Sequence, residues 1–338
     1  MIEKAKNILK YIVSAGLAVL LLYVAFRGVS WSDFFSGLMS CKWVLVLLSM
    51  LCGLVAFAFR AERWRQLLKP IDDSITFRAA FNAINIGNIS NFLFPFLGEV
   101  TRTAVISRNS KTVKGEKLAS FDKVFGTAIL ERGWDVLTVI VFLGILLVFK
   151  WDVFGAFMIE KIWIPMKSVM GLKAIALLAA VALAAVAGLW LVYHFRHRSK
   201  LCGKFCGAVK GFLQGLGACL KVKRKGLFMA YTLMIWIMYW LESVFVTAAL
   251  PDTAGLDLAD ALFIMLIGSF ASCLPLPGGM GGYHVIIRSA LTLIFGVSAS
   301  VGIVYALLAH ESQTLLMIIA GAVSYIDESL HKRKTSSV

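Results

Sequence analysis

Apolar runs of membrane-spanning length govern what this 338-residue chain can fold into. Residues 43–59, 124–149, 172–193, 227–250 and 301–326 each approach or exceed the roughly 18 apolar residues that cross a bilayer, and 11–26 adds a slightly shorter run. With 59% hydrophobic residues and a mean hydropathy of +0.83, a water-soluble domain is excluded, and no soluble segment of useful size fits between the runs. Lys4, Lys6 and Lys10 precede the first run as they would in a signal peptide. The next run follows at once and no small-residue cleavage site stands out, so the first helix is expected to be retained. The reading is one all-α polytopic membrane domain with halves near 1–168 and 169–338.

The formal net charge of +15 invites a nucleic-acid partner, but the placement of the charge points elsewhere. Of the 34 Lys and Arg residues, 26 fall in blocks at 4–10, 60–78, 102–123, 196–225 and 332–334, whereas 251–257 holds none. Alternation of this kind follows the positive-inside rule, so the basic blocks and both termini are expected to be cytoplasmic. No nucleic acid is expected as a partner.

Parity then sets the topology. The apolar stretch 79–97 has basic blocks on both sides, so it enters and leaves from one face as a re-entrant hairpin. The stretch 258–300 must do the same from the opposite face, so that 301–326 ends beside Lys332 and Lys334. Each half reads span, span, hairpin, span, giving about six spanning helices and two hairpins in an inverted repeat. The alternative, in which every stretch is a full span, would leave a basic loop outside.

Both expected hairpins carry breaks where a simple helix would not. The first contains Asn91, Pro95, Gly98 and Glu99, running on to Arg102; the second contains Pro275, Pro277, Gly278, Gly279, Gly281, Gly282 and His284. Proline removes a donor and blocks helix continuation, and glycine permits positive φ and close backbone approach. Broken helices at matching places in two halves point to a transporter-type site. The freed N–H groups can cradle a phosphate, or the turn can simply close a hairpin tip; the residues leave both readings open.

Ionisable residues within the apolar stretches are costly and face a partner or a polar cavity. Glu131 and Asp135 share one helix face, and Arg132 is three residues from Asp135, within reach of a local pair. His310 and Glu311 lie in the last run, Glu242 in the fourth, and Arg288 after the second break. A network that only pins helices together is the competing account. Gly203, Gly207, Gly211 and Gly215 recur every four residues within 200–225, as in an amphipathic helix on the cytoplasmic interface. Cys202 and Cys206 with His194 and His197 have an irregular spacing for zinc, so no metal is expected. No Walker, Rossmann, HExxH or GxSxG motif is present, which leaves transport passive, ion-coupled or driven by a partner, with no cofactor.

Asn91-x3-Pro95-x2-Gly98-Glu99-x2-Arg102, Glu131-Arg132-x2-Asp135 and Pro277-Gly278-Gly279-Met280-Gly281, in this order over nearly the whole chain, resemble the flippase-like transmembrane domain of bacterial lysylphosphatidylglycerol synthases. The resemblance implies a multi-pass protein of the bacterial inner membrane that moves a phosphate-bearing lipid, or holds it for a partner. No cytoplasmic synthase domain is expected beside these motifs, so aminoacyl transfer is not expected either. An acidic residue common in the family after the Pro-Gly-Gly turn is here His284. Within this frame Arg102, Arg132 and Arg288 are expected to hold the lipid phosphate, with Glu99, Glu131, Asp135 and Glu311 pairing those arginines or carrying protons. Asn91, Pro95, Gly278, Gly279, Gly281 and Gly282 would shape the tips. The partner this implies is a lipid with an anionic headgroup or a polyprenyl phosphate, with an envelope-biosynthesis enzyme as a second candidate. A membrane transferase using His310 and Glu311 as its base, or an assembly factor, remains the rival reading.

Overall fold

The computed structural model of the protein describes residues 16, 19–94, 97–113, 116–164, 167, 206–207, 209–214, 222–272 and 276–336. After a helix over residues 19–26 come α1 (Trp31–Met39), α2 (Trp43–Leu68), α3 (Phe77–Leu93), α4 (Leu97–Asn109), α5 (Phe121–Phe149) and α6 (Trp151–Phe157), the last continued by a π-helical turn. Then follow α7 (Lys225–Ala249), α8 (Leu258–Ser272), α9 (Gly282–Phe295) and α10 (Ala299–Ser336). Strand among the described residues is limited to a two-residue ladder, Thr112–Val113 with Glu116–Lys117, in the loop before α5. The expected span at 172–193 lies outside the described residues, as do Pro95, Pro275, His194, His197 and Cys202.

Among the described residues, α2, α5, α7 and α10 are long and apolar enough to cross a membrane. Large apolar side chains stand exposed along them, including Leu47 and Leu51 on α2, Ile140 and Ile145 on α5, and Ile319 and Val323 on α10. In water such bands would be a liability; against lipid they are the favourable surface. The protein is an all-α membrane protein.

Neither expected hairpin is built of spanning helices. At 1.5 Å per residue, α3 and α4 reach about 26 and 20 Å, and α8 and α9 about 22 and 21 Å, short of the roughly 30 Å hydrocarbon core. The α3–α4 pair closes because two glycines remove the side chains between them. A Cβ on Gly87 would lie 2.9 Å from the Gly98 carbonyl, and one on Gly98 would strike Asn91 at 2.5 Å. Asn91 instead accepts a hydrogen bond from the Gly98 N–H at 2.7 Å, satisfying a donor at the start of α4. The α8–α9 turn places Gly278, Gly279 and Gly281 at φ of 59°, 73° and 79°, where a side chain is strained.

Hydrogen bonds sort the loops into two sets. Asp72, after α2, accepts from Ser110 Oγ at 2.7 Å and from the Lys111 N–H, after α4. Asn82 near the start of α3 donates to Asp327 near the end of α10 at 2.7 Å. One face of the protein therefore carries both ends of the first hairpin and the end of α10. On the other face, the Lys42 N–H donates to Ala249 O at 2.9 Å, the Ser30 N–H to Ser300 Oγ at 3.0 Å, and Lys150 Nζ to Asp257 Oδ2 at 2.8 Å. That face carries both ends of the second hairpin. The hairpins enter from opposite faces, as the charge parity requires.

Their tips meet. A Cβ on Gly278 would lie 2.8 Å from the ring of Phe92, so the bare glycine of one tip seats the aromatic ring of the other. Two apolar cores flank this level. One gathers Trp64, Leu67, Ile84 and Val124 toward the face with the basic loops; the other gathers Val139, Leu143, Phe263, Ile303 and Tyr305 toward the opposite face. Along α5, Glu131 and Asp135 fall between the two.

Candidate functional site

Helix α2 does not stop where its first charge appears. It runs from Trp43 through Arg60 and Arg63 to Leu68, with both arginines buried. They are three residues apart and so share a face, and this face looks onto α5. Arg63 pairs with Glu131 at 3.0 Å and with Asp135 at 2.7 Å. The other Glu131 oxygen is held by Arg102 from α4, whose guanidinium also donates to the Ala128 carbonyl at 3.2 Å. Arg102 lies over the Trp64 ring at 4.7 Å, and Trp64 Nε1 donates to Thr127 Oγ1 at 3.0 Å. The carboxylate of Glu131 is thus fully buried between two guanidinium groups, a network worth having at membrane depth only when every charge is answered.

One charge is not answered. Arg60 is 8% exposed, and among the described residues it has no ion pair, while its Nε is buried with no hydrogen-bond acceptor. Tyr239, Glu131, Asp135 and Glu99 are near enough to act on it electrostatically. The cluster counts Arg60, Arg63, Arg102 and Arg132 against Glu99, Glu131 and Asp135, so one positive charge is in excess.

The structure corrects three expectations from the sequence. Arg132 is not a buried cation paired with Asp135: its side chain is 45% exposed, and it donates to Glu99 Oε1 on α4 at 2.6 Å. Arg288 is not at the tips. Its guanidinium donates to the carbonyls of Val24, Ala25 and Arg27 at 3.2, 2.6 and 2.9 Å, closing the end of the first helix, because terminal carbonyls without helical partners attract a cation. The block at 60–78 is not all loop, since two of its basic residues are interior. Sequence reading missed Arg60 and Arg63 because a charge ends an apolar run by composition. Their i,i+3 spacing beside Trp64 and Leu67 was the signal available.

The second tip brings together residues far apart in the chain. His310 Nε2 lies 2.8 Å from the Gly278 carbonyl, and Nδ1 lies 2.9 Å from Glu311 Oε1. His284, wholly buried, approaches the same Glu311 oxygen at 3.6 Å. Gly279 and Gly281 are buried, and the Gly279 N–H is already bonded to the Leu276 carbonyl at 3.0 Å, which removes it from the set of donors open to an anion. Gly282 opens α9. The expected amphipathic helix over 200–225 is described only in part. Residues 206–207 and 209–214 are helical, with Phe212 near Phe125 at 6.3 Å.

A family model described as the lysylphosphatidylglycerol synthase TM region matches residues 7–321. A UPF0104 membrane protein of Pyrococcus horikoshii is similar at 23% identity over 282 residues, covering 76% of this chain and 79% of that protein. No solved structure matches.

Proposed function

The chain belongs to the lysylphosphatidylglycerol synthase TM-region family, and from that premise we propose that it moves a phosphate-bearing lipid, phospholipid or isoprenoid-linked, between leaflets. Arg60 carries the reading. An arginine buried at membrane depth with no direct ion pair among the described residues, in a cluster that counts four arginines against three carboxylates, has room for an anion. A lipid phosphate supplies one, and guanidinium groups are suited to take it by paired N–H donors. Hairpins that enter from opposite faces and meet tip to tip suit alternating exposure of a central site. The basic face would be cytoplasmic, with the protein in the plasma membrane and both termini on that side.

The test uses purified protein in liposomes containing a headgroup-labelled phosphatidylglycerol, with dithionite quenching to read sidedness and mass spectrometry to read lipid chemistry. Wild-type protein should accelerate transfer between leaflets with no chemical change. Arg60→Gln removes an unpaired charge, so it should fold and lose transfer. Arg65→Gln breaks only a part-exposed pair with Glu62 and should retain transfer. Transfer unchanged in Arg60→Gln would overturn the site, and a modified lipid would favour a transferase using His310 and Glu311.

A further inference from the structure

Hydrogen-bond direction at the second tip raises a question of chemistry. The Gly278 carbonyl can only accept, so His310 Nε2, 2.8 Å away, carries the proton. A neutral imidazole protonated there presents a lone pair at Nδ1. That lone pair faces Glu311 Oε1 at 2.9 Å, another acceptor. Two acceptors brought this close need a cation between them. A proton would suffice for this pair alone, but it would leave His284 unexplained. The His284 ring is wholly buried, neither of its nitrogens has a hydrogen-bond partner among the described residues, and its Nε2 points to the same Glu311 oxygen at 3.6 Å. Burying an imidazole with both nitrogens unmet costs on the order of 1–3 kcal/mol per polar group.

We propose that His284, His310 and Glu311 form a binding site for a divalent transition metal of the zinc class, where the two hairpin tips meet. One ligand atom from each residue lies within 4.8 Å of the others. The separations of 2.9 and 3.6 Å bracket the roughly 3.3 Å edge of a tetrahedron whose metal–ligand bonds are about 2.0–2.1 Å. A metal accepts the His310 and His284 lone pairs and the Glu311 carboxylate together, which answers the two facing acceptors and one of the two unmet His284 nitrogens. The Gly278 carbonyl holding His310 Nε2–H is the outer contact that fixes the tautomer and orients the ring of a metal-bound histidine. Two imidazoles and a carboxylate leave a fourth position for water or an anionic oxygen, the arrangement of an open rather than a closed site. Glu311, with 42% of its side chain exposed, supplies the way in. Because Gly278 also seats Phe92 of the first tip, a metal here would tie α10 and α9 to the contact between the hairpins.

The inference is independent of lipid transport and is tested without a lipid substrate. Tag-free protein in detergent is stripped with chelator, titrated with zinc, dialysed and analysed for metal; cobalt(II) is then substituted and its visible spectrum recorded. Wild-type protein should retain one zinc per chain more than Glu311→Gln or His284→Gln. Changes in outer contacts alone weaken such sites about 10–100-fold, so loss of a ligand should weaken binding by at least that. Cobalt should give d–d bands without the near-ultraviolet thiolate band that a cysteine ligand produces. Glu311→Gln changes a part-exposed residue and keeps the test open if His284→Gln fails to fold. Equal zinc retention in Glu311→Gln, a thiolate band, or a nitrogen-15 spectrum showing a proton on His310 Nδ1 in saturating zinc would each overturn the site.

Discussion

Truncating Arg102 and truncating Arg132 delete the same side chain from one charge cluster, yet the structure sets their costs apart. Arg102 is 3% exposed, pairs with the fully buried Glu131, donates to Ala128 O and covers the Trp64 ring. Its loss leaves Glu131 with Arg63 alone, and breaking a buried pair costs about 3–5 kcal/mol. The stacking on Trp64 is part of that figure rather than an addition to it, since the same cation makes both contacts. Arg132 is 45% exposed and reaches one partner, Glu99. An exposed pair contributes about 0.2–1 kcal/mol, and the orphaned, largely buried Glu99 adds about 1–3 kcal/mol for its lost donor. Arg102→Ala should therefore be the more destabilising by about 1–2 kcal/mol. Unfolding followed by tryptophan fluorescence in mild detergent, by heat and by denaturant, orders the two variants. A double substitution, Arg102→Ala with Glu131→Ala, should cost less than the two singles together, because it removes both halves of the pair. Equal destabilisation by the two arginine variants, or additivity in the double, would refute the assignment of Glu131 as the buried hub.

Two further outcomes follow from the loops. Burial alone would raise the carboxyl of Asp72, but hydrogen bonds from Ser110, Ser74 and the Lys111 N–H hold it below the usual carboxylate range. A depressed folded value means stability present above the unfolded value of about 3.9 and lost as pH falls through the folded one, so Asp72→Asn should lower the melting temperature at pH 7 and the gap should close below about pH 4. In protein whose native cysteines are replaced, cysteines at Lys111 and Ala254 should be labelled by an impermeant reagent from opposite sides of the membrane; labelling of both from one side would contradict the two-faced arrangement.

Much of the frame was readable from composition, because a bilayer leaves few ways to satisfy backbone polar groups. The spans at 124–149 and 227–250 appear as α5 and α7 within three residues at each end, the span at 301–326 appears within α10, which runs ten residues further, and both breaks mark helix junctions. Gly278 and Gly281 take the positive φ their type permits. Pairing was not readable. Asp135 offered Arg132, three residues away, as a local partner, but Asp135 is paired by Arg63 of α2, and Glu131 by Arg63 and Arg102 of α2 and α4. Arg288 looked like a phosphate ligand because sequence shows charge and hides carbonyls. His284, His310 and Glu311 are spread over 28 positions and meet only because α9 and α10 pack side by side where the turn at Gly278 returns.

The grip of Arg288 on Val24, Ala25 and Arg27 has a mechanical meaning. The return leg of the second hairpin is fastened to the first helix by one fork of hydrogen bonds, and a Cβ on Gly302 would lie 3.4 Å from Arg288, so α10 presses on the same residue from behind. Any displacement of that leg along the membrane normal drags the first helix as its load. In the alternating movement proposed above, residues 19–27 would travel with that leg, coupled by a hinge pin, and cutting that pin with Arg288→Ala would free one part to travel without the other.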